Sequence, residues 1–291
     1  MVWFPTLRFA RQLVLILTVL LLGEFASITF IPKPVVAKAD VVYGEADELR
    51  QSMDIYYPRD AKKVKGPVNA FLFIHGGSWI AGRKEDDTMF AAPLAKEGFV
   101  TASMNYRFIP RRDEETGEIT RPGSTVAEIM EDIGLAIAKL KETAEADGIE
   151  IASIALLGDS AGGHLALLYA YTHLNGTENA PALPIAFVIG RVAPTNVGVW
   201  SIFDEDDSMD INVLGHVSAD VPPTILCYST NDELVKPQLH GFPLRDLLIE
   251  YEIPFEFITF NYSGHTMLDP RDIGRHNDAY RAFFAYAKKY F

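Results

Sequence analysis

The stretch Ile151-Ala152-Ser153-Ile154-Ala155-Leu156-Leu157-Gly158-Asp159-Ser160-Ala161-Gly162-Gly163-His164 decides how this chain is read. Its first half is a mostly apolar run of strand length, and Leu165-Ala166-Leu167-Leu168-Tyr169-Ala170 beyond it reads as a buried helix. A serine therefore stands where a buried strand turns abruptly into a helix. That turn is so tight that the positions two before and two after the serine must be nearly free of side chain, and Gly158 and Gly162 occupy them. The hydroxyl is then held exposed above the end of a sheet, where a nucleophile would stand. The bare G-x-S-x-G pattern is common by chance, and it is the flanking strand and helix that separate this stretch from a glycine-rich turn with an inert serine.

Outward from this stretch, short apolar runs alternate with amphipathic ones, as in a sheet covered by helices on both faces. Strands are expected at Val41 to Tyr43 and Met53 to Tyr57, paired antiparallel, then at Val68 to Ile74, Phe99 to Asn105, Glu150 to Leu157, Ile185 to Ile189, Pro223 to Tyr228 and Phe255 to Phe260. Val68 to Ile74 is almost continuously apolar, the mark of a central strand buried on both faces. Helices are expected at Thr88 to Glu97, Thr125 to Ala146 with Val126, Ile129, Ile133, Ile137 and Leu140 on one stripe, after Ser160, at Phe242 to Tyr251 and at Asp278 to Tyr290. The charged segment Phe108 to Gly123 reads as a surface hairpin on the rim of the site, and Trp200 to His216 as at most a small lid. The fold class is α/β: a mostly parallel sheet of about eight strands with helices on both faces and a minimal cap.

In such a sheet, ligands sit beyond the carboxyl ends of the strands, and four of the loops there carry His75, Ser160, Asp232 and His265. A serine hydroxyl needs a base within hydrogen-bond reach, itself oriented by a third group. His265, in the small loop Ser263-Gly264-His265 after the last strand, is the expected base, since an imidazole can take the serine proton and return it. Asp232 is the expected orienting carboxylate, with the adjacent Glu233 as alternative. His75-Gly76-Gly77-Ser78-Trp79 follows the Val68 strand and supplies backbone N–H groups for a developing oxyanion, expected from Gly77, Ser78 and Ala161. His75 is read as a brace for that loop, and His75, Gly76 and Trp79 as the pocket wall. His164 is expected to make a structural hydrogen bond.

The 291 residues, 48% of them hydrophobic, suffice for one large core without a second domain. Arg8 and Arg11 precede the apolar run Leu13 to Leu22, which is short for a membrane span, and Ala37-Lys38-Ala39 supplies a small-x-small site. Residues 1–39 therefore read as a signal peptide, with a retained anchor as the alternative, and 40–291 as the catalytic domain. The expected location is secreted or extracytoplasmic. A formal net charge of −13 argues against nucleic acid and anionic lipid as partners, leaving membrane contact only through an uncleaved leader. Cys227, the sole cysteine, lies in an apolar run and reads as a buried structural thiol. Asp204 to Asp207 with Asp210 lacks the sharp-turn glycine of a calcium loop, and Asn175-Gly176-Thr177 is a formal glycosylation acceptor. No metal or cofactor is implied.

From about Tyr43 onward the chain resembles the α/β-hydrolase superfamily, nearest its hormone-sensitive-lipase-like and feruloyl-esterase-like carboxylesterases. The resemblance is carried by Met53-Asp54-Ile55-Tyr56-Tyr57-Pro58, His75 to Trp79 with Gly82, Asn105-Tyr106-Arg107, Gly158 to His164, Pro222-Pro223 and Ser263-Gly264-His265. It implies a serine carboxylic-ester hydrolase working through an acyl-enzyme on short-chain acyl, acetyl or feruloyl esters, free or attached to polysaccharide. Ser78 stands where many lipase-type relatives have a third glycine. The segment between the Ile185 strand and Pro222 is too short for a full helical cap, which implies an open site. A peptidase or amidase on the same three residues, or a binding protein that keeps the fold without catalysis, are the rival readings.

Overall fold

The computed structural model describes residues 36–59, 61, 65–113, 115–199 and 209–291. An eight-stranded sheet runs in the order β1-β2-β4-β3-β7-β8-β9-β10, from β1 (Val36–Val42) and β2 (Ser52–Tyr56) at one edge to β10 (Phe255–Phe260) at the other. Between them lie β4 (Val100–Met104), β3 (Val68–Ile74), β7 (Ile151–Asp159), β8 (Ile185–Arg191) and β9 (Thr224–Ser229). β1 with β2 and β2 with β4 pair antiparallel, and every later pair is parallel.

The strand period divides the core. Ala70, Leu72 and Ile74 of β3, with Ile154 and Leu156 of β7, face one apolar cluster. Phe71 and Phe73, with Ala155 and Leu157, face the other. Three helices cover the first face: α2 (Val126–Ala146), α3 (Ala161–Thr172) and α4 (Gly241–Glu250). The second face is covered by α1 (Thr88–Lys96) and α5 (Ile273–Tyr290). α2 begins at a capping box in which the Thr125 hydroxyl accepts from the Glu128 amide at 3.2 Å and Glu128 accepts from the Thr125 amide at 2.8 Å. Its expected stripe, Val126, Ile129, Ile133, Ile137 and Leu140, is wholly buried. α3 is buried from Ala161 to Tyr171, as a helix apolar all round must be.

Two boundaries differ from the sequence reading. β1 starts at Val36 rather than Val41, so Ala37-Lys38-Ala39 lies within a strand, and Lys38 pairs with Asp147 at 3.0 Å. The leader's apolar run lies outside the described residues. α5 starts at Ile273 rather than Asp278, because the Asp269 side chain accepts from the Arg271 amide and Pro270 opens a one-turn 3-10 helix that leads into it. The segment Phe108 to Gly123 does form a hairpin, β5 (Arg111–Arg112) with β6 (Ile119–Arg121). Of the expected lid, residues 200–208 lie outside the described residues, and the rest holds a short 3-10 turn at Val213–His216.

Candidate active site

Ser160 sits between β7 and α3 at φ 52° and ψ −120°, a conformation L side chains rarely adopt. Its amide donates to the Arg191 carbonyl at 2.8 Å, and its carbonyl accepts from the His164 amide at 3.0 Å. The flanking glycines are required by backbone, not by side chains. A Cβ on Gly158 would be driven into the Gly162 main chain, and one on Gly162 into the carbonyls of Ile74 and His75. A Cβ on Gly163 would lie 2.9 Å from the Ala193 Cβ.

The three expected residues meet. Asp232 is ionised and can only accept, so His265 Nδ1–H donates to Asp232 Oδ2 at 2.7 Å, which leaves Nε2 to accept from the Ser160 hydroxyl at 2.9 Å. Asp232 Oδ1 is held by the amides of Leu234 and Val235, both at 2.9 Å. Burial pushes the Asp232 carboxyl up, but the His265 hydrogen bond and the two amides outweigh it and set it below the usual carboxylate range. Glu233, the alternative acid, has a side chain 87% exposed and pairs with Lys236 at 3.0 Å. Ser160 and the His265 side chain, the latter 26% exposed, remain open to solvent.

The loop after β3 lies against the serine, for a Cβ on Gly76 would stand 3.0 Å from the Asp159 carbonyl and 3.5 Å from the Ser160 Cβ. Gly77, Ser78 and Trp79 all have positive φ, at 122°, 52° and 60°. The Gly77 carbonyl is turned back to accept from the amides of Ile80 and Ala81 at 3.1 and 2.9 Å. Ala161, the first residue of α3, presents one of the helix's unpaired N–H groups. These are the amides expected to face an oxyanion.

His75 and Trp79, read as pocket wall, are instead turned inward, 1% and 2% exposed. His75 Nδ1–H donates to the Gly76 carbonyl at 2.7 Å, and its ring stacks on Tyr106 at 4.3 Å. The Tyr106 hydroxyl donates to the His75 carbonyl at 2.9 Å. Burial pulls the His75 ring down to about 4, so it serves as a neutral brace. Trp79 Nε1–H donates to His164 Nδ1 at 3.2 Å, and His164 Nε2–H donates to the Ile211 carbonyl at 2.8 Å. That chain ties the loop after β3, the elbow helix and the segment around Ile211 together. Gly76 alone of the three stays partly exposed beside Ser160. The rim hairpin also presses on this loop, since Arg121 donates to the Ile80 carbonyl at 2.6 Å and the Ile109 amide to the Trp79 carbonyl at 3.0 Å.

Several supporting residues are not marked by any motif. Arg191, at the end of β8, pairs with Asp159 at 3.2 Å beside Ser160. His240 Nδ1 accepts from the amides of Thr195 and Asn196, both at 3.2 Å. Buried polar residues facing non-adjacent partners leave no periodic signal, and none in the sequence would have found them. Cys227 is fully buried, and burial raises its thiol to about 12, so it is structural. Asn175 donates to the Ile185 carbonyl at 2.8 Å and accepts from the Ile185 amide at 2.9 Å, so this side-chain amide is already engaged in the fold. Asp210 accepts from the Asn212 amide at 2.9 Å, while the acidic run before it lies outside the described residues. A hollow of about 280 Å³ lined by His173, Asn175 and Asp220 to Pro223 lies at the opposite ends of the strands, and Ser160, Asp232 and His265 are not among its lining residues.

Comparison with known proteins agrees with this architecture. A probable isoprenylcysteine alpha-carbonyl methylesterase of Oryza sativa subsp. japonica is 33% identical over 126 residues, 43% of this chain and 26% of that protein. A probable carboxylic ester hydrolase of Mycobacterium tuberculosis is 27% identical over 258 residues, 77% of this chain and 56% of that one. The chain thus spans under two thirds of either relative. Among solved structures, esterase B from Lactobacillus rhamnosis superposes with a TM-score of 0.68 at 19% identity, covering 96% of this chain and 97% of that one. A truncated carbohydrate esterase from gut microbiota superposes at 0.65 and 19% identity, over 86% and 96% of the two chains. These likenesses establish the α/β-hydrolase fold. The family model BD-FAE matches residues 53–241, well over half of the chain, and the chain belongs to the BD-FAE family of α/β-hydrolases.

Proposed function

We propose that the chain is a serine carboxylic-ester hydrolase. The observation that carries this is the continuous hydrogen-bonded line Ser160–His265–Asp232, at 2.9 and 2.7 Å, assembled from three separate strand ends. Ser160 Oγ attacks the ester carbonyl as His265 Nε2 takes its proton, and the tetrahedral oxyanion is received by the amides of Gly77, Ser78 and Ala161. His265 returns the proton to the leaving alcohol, which leaves an acyl group on Ser160. Water deprotonated by His265 then attacks the acyl carbonyl, and His265 gives that proton to Ser160 Oγ as the bond to serine breaks and the acid leaves. Asp232, anchored by two amides and kept ionised, holds the imidazole in the tautomer that can accept from serine.

The substrates we propose are esters of short or compact acyl groups, acetyl and feruloyl among them, borne on small alcohols or polysaccharide. The exposure of Ser160 and His265 supports an open site. A structural neighbour, esterase B from Lactobacillus rhamnosis, has been solved with a tributyrin phosphonate inhibitor, whose acyl arms are short, and this supports the same reading. The leader supports export, which N-terminal sequencing of the exported protein tests. Hydrolysis of p-nitrophenyl acetate, butyrate and octanoate by wild type and Ser160→Ala tests the mechanism. Loss of about 10⁵- to 10⁶-fold in kcat is expected from removal of a nucleophile. Retained activity in Ser160→Ala would refute it, and faster turnover of aminoacyl-naphthylamides than of esters would move the assignment to amidase.

A further inference from the structure

Asp272 stands at the N-cap of α5, where an acidic side chain ordinarily caps its own helix, yet it makes no such cap bond. Its carboxylate turns back to the loop that carries His265. Oδ1 accepts from the Asn261 amide at 3.0 Å, while Oδ2 accepts from the Tyr262 amide at 3.0 Å, the Ser263 amide at 2.7 Å and the Ser263 hydroxyl at 2.7 Å. Three successive N–H groups closing on one anion form a nest, and here the chain supplies the anion itself. Asp272 is 2% exposed. Burial pushes its carboxyl up, but these four bonds reverse that and hold it at about 2, so it stays ionised across any ordinary working pH.

Ser263 passes the restraint on. Its hydroxyl also accepts from the Asp269 amide at 3.2 Å, and its carbonyl accepts from the Ser229 hydroxyl, at the end of the strand that leads to Asp232. The Thr230 amide donates to the Phe260 carbonyl at 2.8 Å, and Asn231 Nδ2 to the Asn261 carbonyl at 3.1 Å. The acid-bearing and base-bearing loops are thus laced together through residues 260–263, and the lacing ends on Asp272. Only the exposed Gly264 separates Ser263 from His265, so the direction in which the chain reaches the imidazole is set at Ser263.

We infer that Asp272 is a positioning residue for His265, fixing residues 261–263 against the 229–231 turn and so setting where Nε2 meets the Ser160 hydroxyl. This rests on the reading of Ser160, His265 and Asp232 as the hydrolytic machinery. Three variants of the full chain test it with p-nitrophenyl butyrate and with an organophosphonate that labels Ser160. Asp272→Ala removes every bond of the nest, Asp272→Asn keeps one acceptor oxygen, and Ser263→Ala removes only the hydroxyl. In Asp272→Ala kcat is expected to fall about 100-fold, the cost of a misplaced catalytic group, with KM within about twofold. Phosphonate labelling should slow in parallel, and Asp272→Asn should fall between alanine and wild type. If Asp272→Ala does not fold, Asp272→Asn and Ser263→Ala decide the matter by the same readouts. A lowered melting temperature with wild-type kcat and labelling rate in the folded variants would overturn the inference, as would a loss seen in KM alone. Wild-type activity in Ser160→Ala would show instead that the reading of the site had failed.

Discussion

His164 makes a sharp test of how the buried polar network is held. Its ring is fully buried, accepts from Trp79 on Nδ1 and donates to the Ile211 carbonyl from Nε2, an arrangement that needs the neutral imidazole. Burial lowers its pKa to about 4, with the bond to Ile211 opposing and the neighbouring His240 reinforcing the shift. In the unfolded chain the ordinary value of about 6.5 returns, so between these values the unfolded state binds the extra proton and stability falls as the pH falls. From an unfolded value near 6.5 and a folded one near 4, this single residue costs about 2 kcal/mol of stability between pH 7 and pH 5, and about 3 kcal/mol by pH 4. Urea unfolding of wild type and His164→Gln at pH 7, 6 and 5 measures it. The variant cannot titrate, and at pH 7 it should be less stable by about 1–2 kcal/mol because glutamine fits the two partners imperfectly. That deficit should shrink or reverse by pH 5. A deficit that stays constant from pH 7 to pH 5 would refute the claim that His164 is held neutral. His75 and His240, also lowered to about 4 by burial, act in the same direction and keep the wild type acid-sensitive even when His164 is replaced.

Gly162→Ala should destabilise the chain by about 3 kcal/mol or more, since its Cβ meets the carbonyls of Ile74, the last residue of β3, and of His75 just beyond it, and such backbone cannot yield as a side chain can. The measurement is the urea midpoint, and a change below about 1 kcal/mol would show that the elbow adjusts. Asp132→Ala should cost about 3–5 kcal/mol. The Asp132 side chain is wholly buried, and it accepts from Gln51 at 2.7 Å and from the Arg107 amide and Nε, each at 2.9 Å, so its loss leaves the nearly buried guanidinium only the Glu128 carbonyl at 2.7 Å and the exposed carboxylates of Glu128 and Glu131. Thermal unfolding of Asp132→Ala, with Asp132→Asn as the gentler control, reads this out.

What the sequence made legible was whatever a period or a tight turn imposes locally. β3 and β10 lie where their apolar runs place them, α2 keeps its stripe, and the elbow is recognisable because glycine is needed at two fixed offsets from Ser160. Asp232 and His265 were legible through chain order and strand ends. The antiparallel pairing of β1 with β2 was legible too, but the start of β1 was not, since Lys38, Ala39 and Asp40 carry no alternation and the register of this edge strand is broken twice. The inward turn of Trp79 was hidden because the residue that satisfies its indole, His164, lies 85 positions away. Arg191 and Asp272 escaped for the same reason: a buried charge is explained by its partners, and those become neighbours only in the folded chain.

The elbow glycines bear on how such a protein can change over generations. Gly158 and Gly162 abut main-chain atoms, of Gly162 and of Ile74 and His75 respectively, and main-chain atoms are the same whatever residues the sheet carries. The place of the serine is therefore indifferent to the identity of most side chains around it. Loops over the strand ends can be exchanged, lengthened or recharged while the Ser160 hydroxyl keeps its address, so one inherited elbow can be set beneath many different surroundings.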